Sequence, residues 1–89
     1  VDFHPRQNLD SVALIELFNW SETEFDARLA GSAIRRIGHV QWLRNIAVAL
    51  GNAPTSPAII GALQAKCDHP ASLVREHVAW ALERHGVMD

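Results

Sequence analysis

The side chains most capable of chemistry are five histidines and one cysteine, and their spacing does not assemble a metal centre. His69, His77 and His85 are eight residues apart, so they lie on separate helical turns instead of forming an i, i+4 ligand pair. Glu76 and His77 pair an acid with a histidine, but residues 44 and 45, their equivalents one internal repeat earlier, are arginine and asparagine. We therefore expect that these residues bind no metal. His77 and His85 are expected to have surface or hydrogen-bonded structural roles.

Cys67 is the only cysteine, which excludes an internal disulfide and a cysteine-ligated zinc or iron–sulfur cluster. No GxSxG, phosphate-cradling glycine loop or paired-carboxylate pattern occurs. The chain has no apolar run long enough to span a bilayer and no segment that resembles a signal peptide. The sequence therefore predicts a non-membrane, cytoplasmic protein without catalytic residues or cofactors of its own.

Positive charge is concentrated in the middle of the chain. Residues 1–26 contain six acids and one arginine, whereas residues 27–67 contain five basic residues and no acid. The net charge of −2 hides this asymmetry. A block of one sign is a candidate contact surface for an anionic partner, although so few charges can also segregate by chance.

The block is densest in residues 31–45, where arginine, histidine, glutamine and asparagine accompany Trp42. Arginine suits forked contacts to phosphate. This pattern predicts nucleic-acid contacts, with Trp42 mostly packing; the candidate residues are Arg35, Arg36, His39, Arg44 and Asn45. The alternative is that Arg35 and Arg36 pair with Glu22, Glu24 or Asp26 on a neighbouring helix.

Capping residues and glycines divide the chain into helices. Ser21 with Glu24 forms a capping box that Trp20 and Phe25 flank as a hydrophobic staple, and Ser56 with Pro57 is another helix start. Further helices are predicted after Asp10, over residues 39–50 and over residues 72–85, with a short helical turn over 32–37. A break at Gly38 is expected, because a continuous helix would bury two arginines. Residues 1–9 read as an extended lead-in.

An internal echo suggests a repeat. Residues 42–51 shifted by 32 positions align Ala47, Ala49 and Leu50 with Ala79, Ala81 and Leu82. The fold class is therefore predicted to be all-α, a short HEAT-like superhelix of about five to six helices in a single domain over 1–89. A plain helical bundle is the alternative.

The block GSAIRRIGHVQWLRNIAVALGN at 31–52 resembles the C-terminal HEAT-like region of epoxyqueuosine reductase, formerly described as an iron–sulfur cluster-binding protein. Shorter matches keep the same order along the chain: residues 3–6, 14–18, 75–77 and 80–82. The resemblance implies a C-terminal fragment of a larger enzyme, with residues 1–9 leading in from a preceding N-terminal catalytic domain of the same polypeptide.

That resemblance also implies a function. The family reduces epoxyqueuosine to queuosine in tRNA, using cobalamin and two [4Fe–4S] clusters held outside this region. None of the cofactor or catalytic motifs is present here, so the expected role is a non-catalytic grip on the tRNA anticodon stem-loop, with the five candidate residues above as contacts. The alternative is a HEAT-like module that binds protein or braces the catalytic domain without touching nucleic acid.

Overall fold

The computed structural model describes residues 11–87, which form five α-helices and one 3-10 helix. The α-helices are α1 (Ser11–Phe18), α2 (Glu22–Arg28), α3 (Gly38–Gly51), α4 (Pro57–Gln64) and α5 (Ser72–Arg84), and the 3-10 helix is Ala33–Ile37. No strand occurs within residues 11–87, and the predicted all-α class is confirmed. The expected lead-in over 1–9 and the Asp10 cap lie outside the described residues.

Serine side chains begin three of the helices. The Ser21 hydroxyl accepts a hydrogen bond from the Glu24 amide (3.1 Å) at the start of α2. Ser32 does the same for the Ile34 amide (3.2 Å) in the 3-10 helix. Ser56 accepts from the amide of Ile59 (3.2 Å) in α4, where proline follows the cap. Each hydroxyl satisfies an amide that has no partner in the first helical turn.

The break predicted at Gly38 is present. Gly38 has a φ of +85°, a left-handed conformation that glycine adopts without the steric cost of a side chain. The chain therefore changes direction between the 3-10 helix and the body of α3. Arg35 and Arg36 are exposed, as the argument from buried charge required.

The hydrophobic core is built around α3. This helix buries Trp42, Leu43, Ile46, Ala47 and Leu50, and its largest interface is with α5. Helix α1 packs on both α3 and α4 and contributes the fully buried Phe18. Because α3 contacts α1, α2 and α5, its exposed face is held in a fixed orientation relative to all three.

An aromatic corner joins α2 to α3. The Trp20 and Trp42 rings stack with their centroids 5.5 Å apart, and Phe25 meets Trp42 at 5.4 Å with a tilt of 56°. The Trp42 indole nitrogen donates a hydrogen bond to the Leu17 carbonyl (3.2 Å). Trp42 is therefore a packing residue, as predicted. Trp20 and Phe25, the two residues of the expected staple, both contact it.

The two helices that carry the internal echo, α3 and α5, lie against each other. Neighbouring equivalent helices of a solenoid pack in this way. The fold is also thin, with extents of 39 × 31 × 15 Å. Assignment to the HEAT type stays a prediction.

Candidate nucleic-acid interface

The arginine-rich segment is divided between two surfaces by the turn at Gly38. Arg35 and Arg36 lie on the 3-10 helix, and Arg44 and Asn45 lie on α3. The five candidate residues are thus carried on two elements that the left-handed glycine joins.

The first surface, here called the 3-10 surface, is a groove of about 510 Å³ lined by Asp26, Gly31, Ser32, Ala33, Arg35 and Arg36. Arg35 Nε lies 3.4 Å from Asp26 Oδ1, and both side chains are about half exposed. An exposed pair of this kind contributes only about 0–1 kcal/mol to stability. Arg36 forms no ion pair within the described part of the chain, so its charge is available to an anion.

His39 makes contacts inside the fold. Its Nε2 donates to the Trp20 carbonyl (2.8 Å), and its ring packs against Phe25 with centroids 5.6 Å apart. This hydrogen bond ties the start of α3 to the segment that precedes α2. His39 therefore positions the aromatic corner, and its side chain is only partly exposed.

The second surface, here called the α3–α5 groove, has a volume of about 410 Å³ and is lined by Arg44, Val48, Glu76, His77 and Trp80. Arg44 Nε donates to His77 Nε2 (3.2 Å), and Arg44 Nη1 donates to Asn45 Oδ1 (3.1 Å). The other ring nitrogen of His77, Nδ1, lies 2.9 Å from the Leu73 carbonyl. Because a carbonyl can only accept, Nδ1 is the protonated nitrogen and Nε2 presents its lone pair to Arg44.

Trp80 is held in this groove while remaining 36% exposed. The Arg84 guanidinium lies over the indole ring at 5.4 Å, and Arg84 Nε donates to the Gly51 carbonyl (3.2 Å). The indole packs so close to Gly51 that an added Cβ would meet Trp80 Cζ3 at 2.6 Å. Arg84 and Gly51 thus hold an exposed aromatic ring in a groove that Arg44 also lines.

Sequence reasoning identified Arg44 and Asn45 but missed His77 and Trp80 as their neighbours. A signal was present in the 32-residue shift, which aligns Arg44 with Glu76 and Asn45 with His77. If equivalent helices of a repeat pack side by side, residues at equivalent positions face the same groove.

Two basic groups near the end of α4 have lowered pKa values. Burial lowers the pKa of Lys66, whose amino group lies 5.3 Å from the centre of the Phe18 ring. Burial also lowers the pKa of His69, with smaller contributions from the positive charges of Lys66, His39 and Arg75. His69 Nδ1 accepts a hydrogen bond from the Ala71 amide (3.0 Å), which requires that nitrogen to be unprotonated.

The described residues, 11–87, do not fit a metal or an iron–sulfur cluster. The chain has one cysteine, Cys67, and it is exposed. Across residues 11–87, no three histidine, cysteine or acidic side chains are close enough together to hold a metal ion. None of the helices in that range is long and apolar enough to cross a membrane.

Comparison with known proteins confirms the resemblance carried by residues 31–52. The chain is 56% identical over 85 residues to epoxyqueuosine reductase of Pseudomonas aeruginosa, covering 96% of the chain and 24% of that relative. It is 58% identical over 82 residues to the Escherichia coli K12 enzyme of the same name, covering 91% and 21%. The match to the Xanthomonas campestris enzyme is 54% over 86 residues. The chain thus spans about a quarter of the length of these relatives. No family model matches it, and no solved structure matches it.

Proposed function

Because the chain is homologous to a segment of epoxyqueuosine reductase, we propose that it is a non-catalytic, HEAT-like C-terminal domain of such an enzyme. In this proposal it helps hold the tRNA anticodon stem-loop in the cytoplasm. An N-terminal catalytic domain of the same polypeptide, with cobalamin and two [4Fe–4S] clusters, reduces epoxyqueuosine to queuosine.

The RNA-binding role is supported by the difference between arginines that form an ion pair and arginines that do not. Arg28 and Arg35 each face a carboxylate, from Glu24 and Asp26 respectively. Arg36 and Arg44 form no ion pair in residues 11–87. An arginine without a carboxylate partner can contact a phosphate without first losing an internal ion pair, so Arg36 is the contact we expect on the 3-10 surface.

The test is a fluorescence-anisotropy titration of tRNA with the full-length enzyme that contains this chain. Arg36→Ala should weaken binding and lower the slope of log affinity against log salt by roughly 0.9, the value for one lost phosphate contact on a duplex. Arg28→Ala is the matched control, because it removes the same charge from a residue already paired with Glu24 and placed 5.2 Å from the Trp20 ring centre. Equal affinity and equal salt slope for the two variants would refute the phosphate role.

A second candidate function is bracing of the catalytic domain. Ile37 and Val40, one and four residues after Arg36, are 42% and 39% exposed, and a contiguous apolar patch is the kind of surface that a protein partner covers. If the patch docks the rest of the polypeptide, Ile37→Ser with Val40→Ser should speed limited proteolysis between the two domains. An unchanged proteolysis rate would remove this candidate.

A further inference from the structure

The α3–α5 groove combines an oriented cation with a fixed aromatic ring. Arg44 uses two of its donor groups internally, Nε to His77 and Nη1 to Asn45. Both acceptors are neutral, so the arginine is fixed in direction without losing its charge. The remaining N–H groups, including those of Nη2, are available to a ligand.

Trp80 supplies a flat apolar surface beside this cation. Arg84 and Gly51 restrict the indole, yet over a third of the side chain stays exposed. The other two tryptophans stack on each other at the aromatic corner, 5.5 Å apart. Trp80 is the exposed one of the three tryptophans, so a planar ligand would stack on the part of its ring that Arg84 does not cover.

Glu76 indicates which anion the groove accepts. This acidic residue lines the same groove as Arg44, so a continuous run of phosphates would meet a negative charge there. A nucleobase has N–H groups that can donate hydrogen bonds to a carboxylate. Any of the four bases can stack on an aromatic ring. One phosphate joined to one exposed base matches all three side chains.

We propose that the α3–α5 groove binds a single unpaired nucleotide of an RNA strand, with its base against Trp80 and its phosphate on Arg44. His77 Nε2 accepts a hydrogen bond from the Arg44 guanidinium on the side away from the ligand's phosphate. This inference rests on the proposed RNA-binding function and adds to it a subsite that recognises an unpaired base. The 3-10 surface would then contact backbone phosphates only.

The first experiment titrates the 89-residue chain with single-stranded penta-adenylate and, separately, with a blunt RNA duplex, while tryptophan fluorescence is recorded. Stacking on Trp80 should quench the emission with the single strand and leave it nearly unchanged with the duplex. Trp80→Ala should weaken single-strand binding by about tenfold or more, because one stacked base is lost. Trp80→Phe should retain most of the affinity. Gln64→Ala, an exposed change on α4, is the control variant.

Salt dependence separates the cation from the ring. Arg44→Gln should reduce the single-strand salt slope by roughly 0.7, the value for one phosphate contact. Trp80→Ala should leave that slope unchanged while weakening binding. Circular dichroism is used to check that each variant is folded. If Trp80→Ala unfolds, the loss of salt slope in Arg44→Gln and the fluorescence quench in the unchanged chain still test the subsite. Single-strand affinity unchanged in both Trp80→Ala and Arg44→Gln would overturn the subsite.

The same variants in the full-length enzyme distinguish this inference from the function on which it rests. Loss of tRNA affinity in Arg36→Ala but not in Trp80→Ala would retain the proposed function and overturn the nucleotide subsite. Loss in Trp80→Ala that persists at high salt supports the subsite. If neither variant weakens tRNA binding, both proposals fail. If Trp80→Ala instead speeds proteolysis between the domains with tRNA affinity unchanged, the groove is a protein-docking surface and the subsite is overturned.

Discussion

Gly51 is the position where one added methyl group tests the packing of α3 against α5. A Cβ there would lie 2.6 Å from Trp80 Cζ3, 3.1 Å from Ala81 Cβ and 3.2 Å from Ala81 Cα. Carbon atoms in contact normally lie about 3.5–4.0 Å apart. Trp80 is held by Arg84 and Ala81 is fully buried on α5, so the two helices must separate slightly.

The expected free-energy change combines two opposing effects. Replacing a helical glycine by alanine stabilises a helix by about 0.5–1 kcal/mol. Overpacking a close interface costs about 1–3 kcal/mol. We therefore expect Gly51→Ala to destabilise the chain by about 1 kcal/mol, which corresponds to a fall in Tm of roughly 4–8 °C for a domain of this size.

Gly61→Ala is the matched control because it sits within α4, its φ is not positive and nothing lies within 4 Å of the added Cβ. It should stabilise the chain by about 0.5–1 kcal/mol. Urea unfolding monitored by circular dichroism measures both variants, and tryptophan fluorescence reports displacement of Trp80. A Gly51→Ala chain as stable as the Gly61→Ala chain would refute the close approach of α3 and α5, and with it the fixed position of Trp80.

Two further predictions concern single residues. The folded-state pKa of His69 lies below its ordinary value of 6.5, so the unfolded chain binds more protons and stability should fall as pH drops below about 6.5. His69→Asn keeps an acceptor for the Ala71 amide without titrating, so a urea series from pH 7.5 to 5.5 should give a shallower pH dependence; an identical dependence would contradict the assignment. Ser56→Ala removes the cap bonded to the Ile59 amide and should cost about 1 kcal/mol, whereas Ser56→Asp should restore most of it; no loss on Ser56→Ala would contradict the capping role.

Local features of the fold could be predicted from the sequence because their partners are a few residues apart. Ser21, Ser32 and Ser56 cap helices through amides two or three residues ahead. The turn at Gly38 followed from the cost of burying arginine. The predicted staple identified Trp20 and Phe25 as packing residues but not the residue that they pack against. Both contact Trp42, which lies on another helix.

Long-range contacts could not be predicted in this way. Arg44 bonds His77 across 33 positions, and His39 bonds Trp20 across 19. Neither pair leaves a pattern within one helix, since each depends on how two helices cross. The candidate site residues were therefore identified by type, but their division into two surfaces needed the tertiary structure.

The central block of positive charge has a different meaning once its partners are known. The sequence gives residues 27–67 five basic side chains and no acid, which suggests one uniformly cationic surface. Folding brings Asp26 to Arg35 and Glu24 to Arg28, and it places Lys66 against Phe18. Arg36 and Arg44 form no ion pair with the described residues, and they lie on different elements. Arg44 is held by neutral acceptors, so it keeps both its charge and its direction. An anion that contacts both Arg36 and Arg44 must therefore reach two separate points, so the spacing of its charges decides whether it can bind to both.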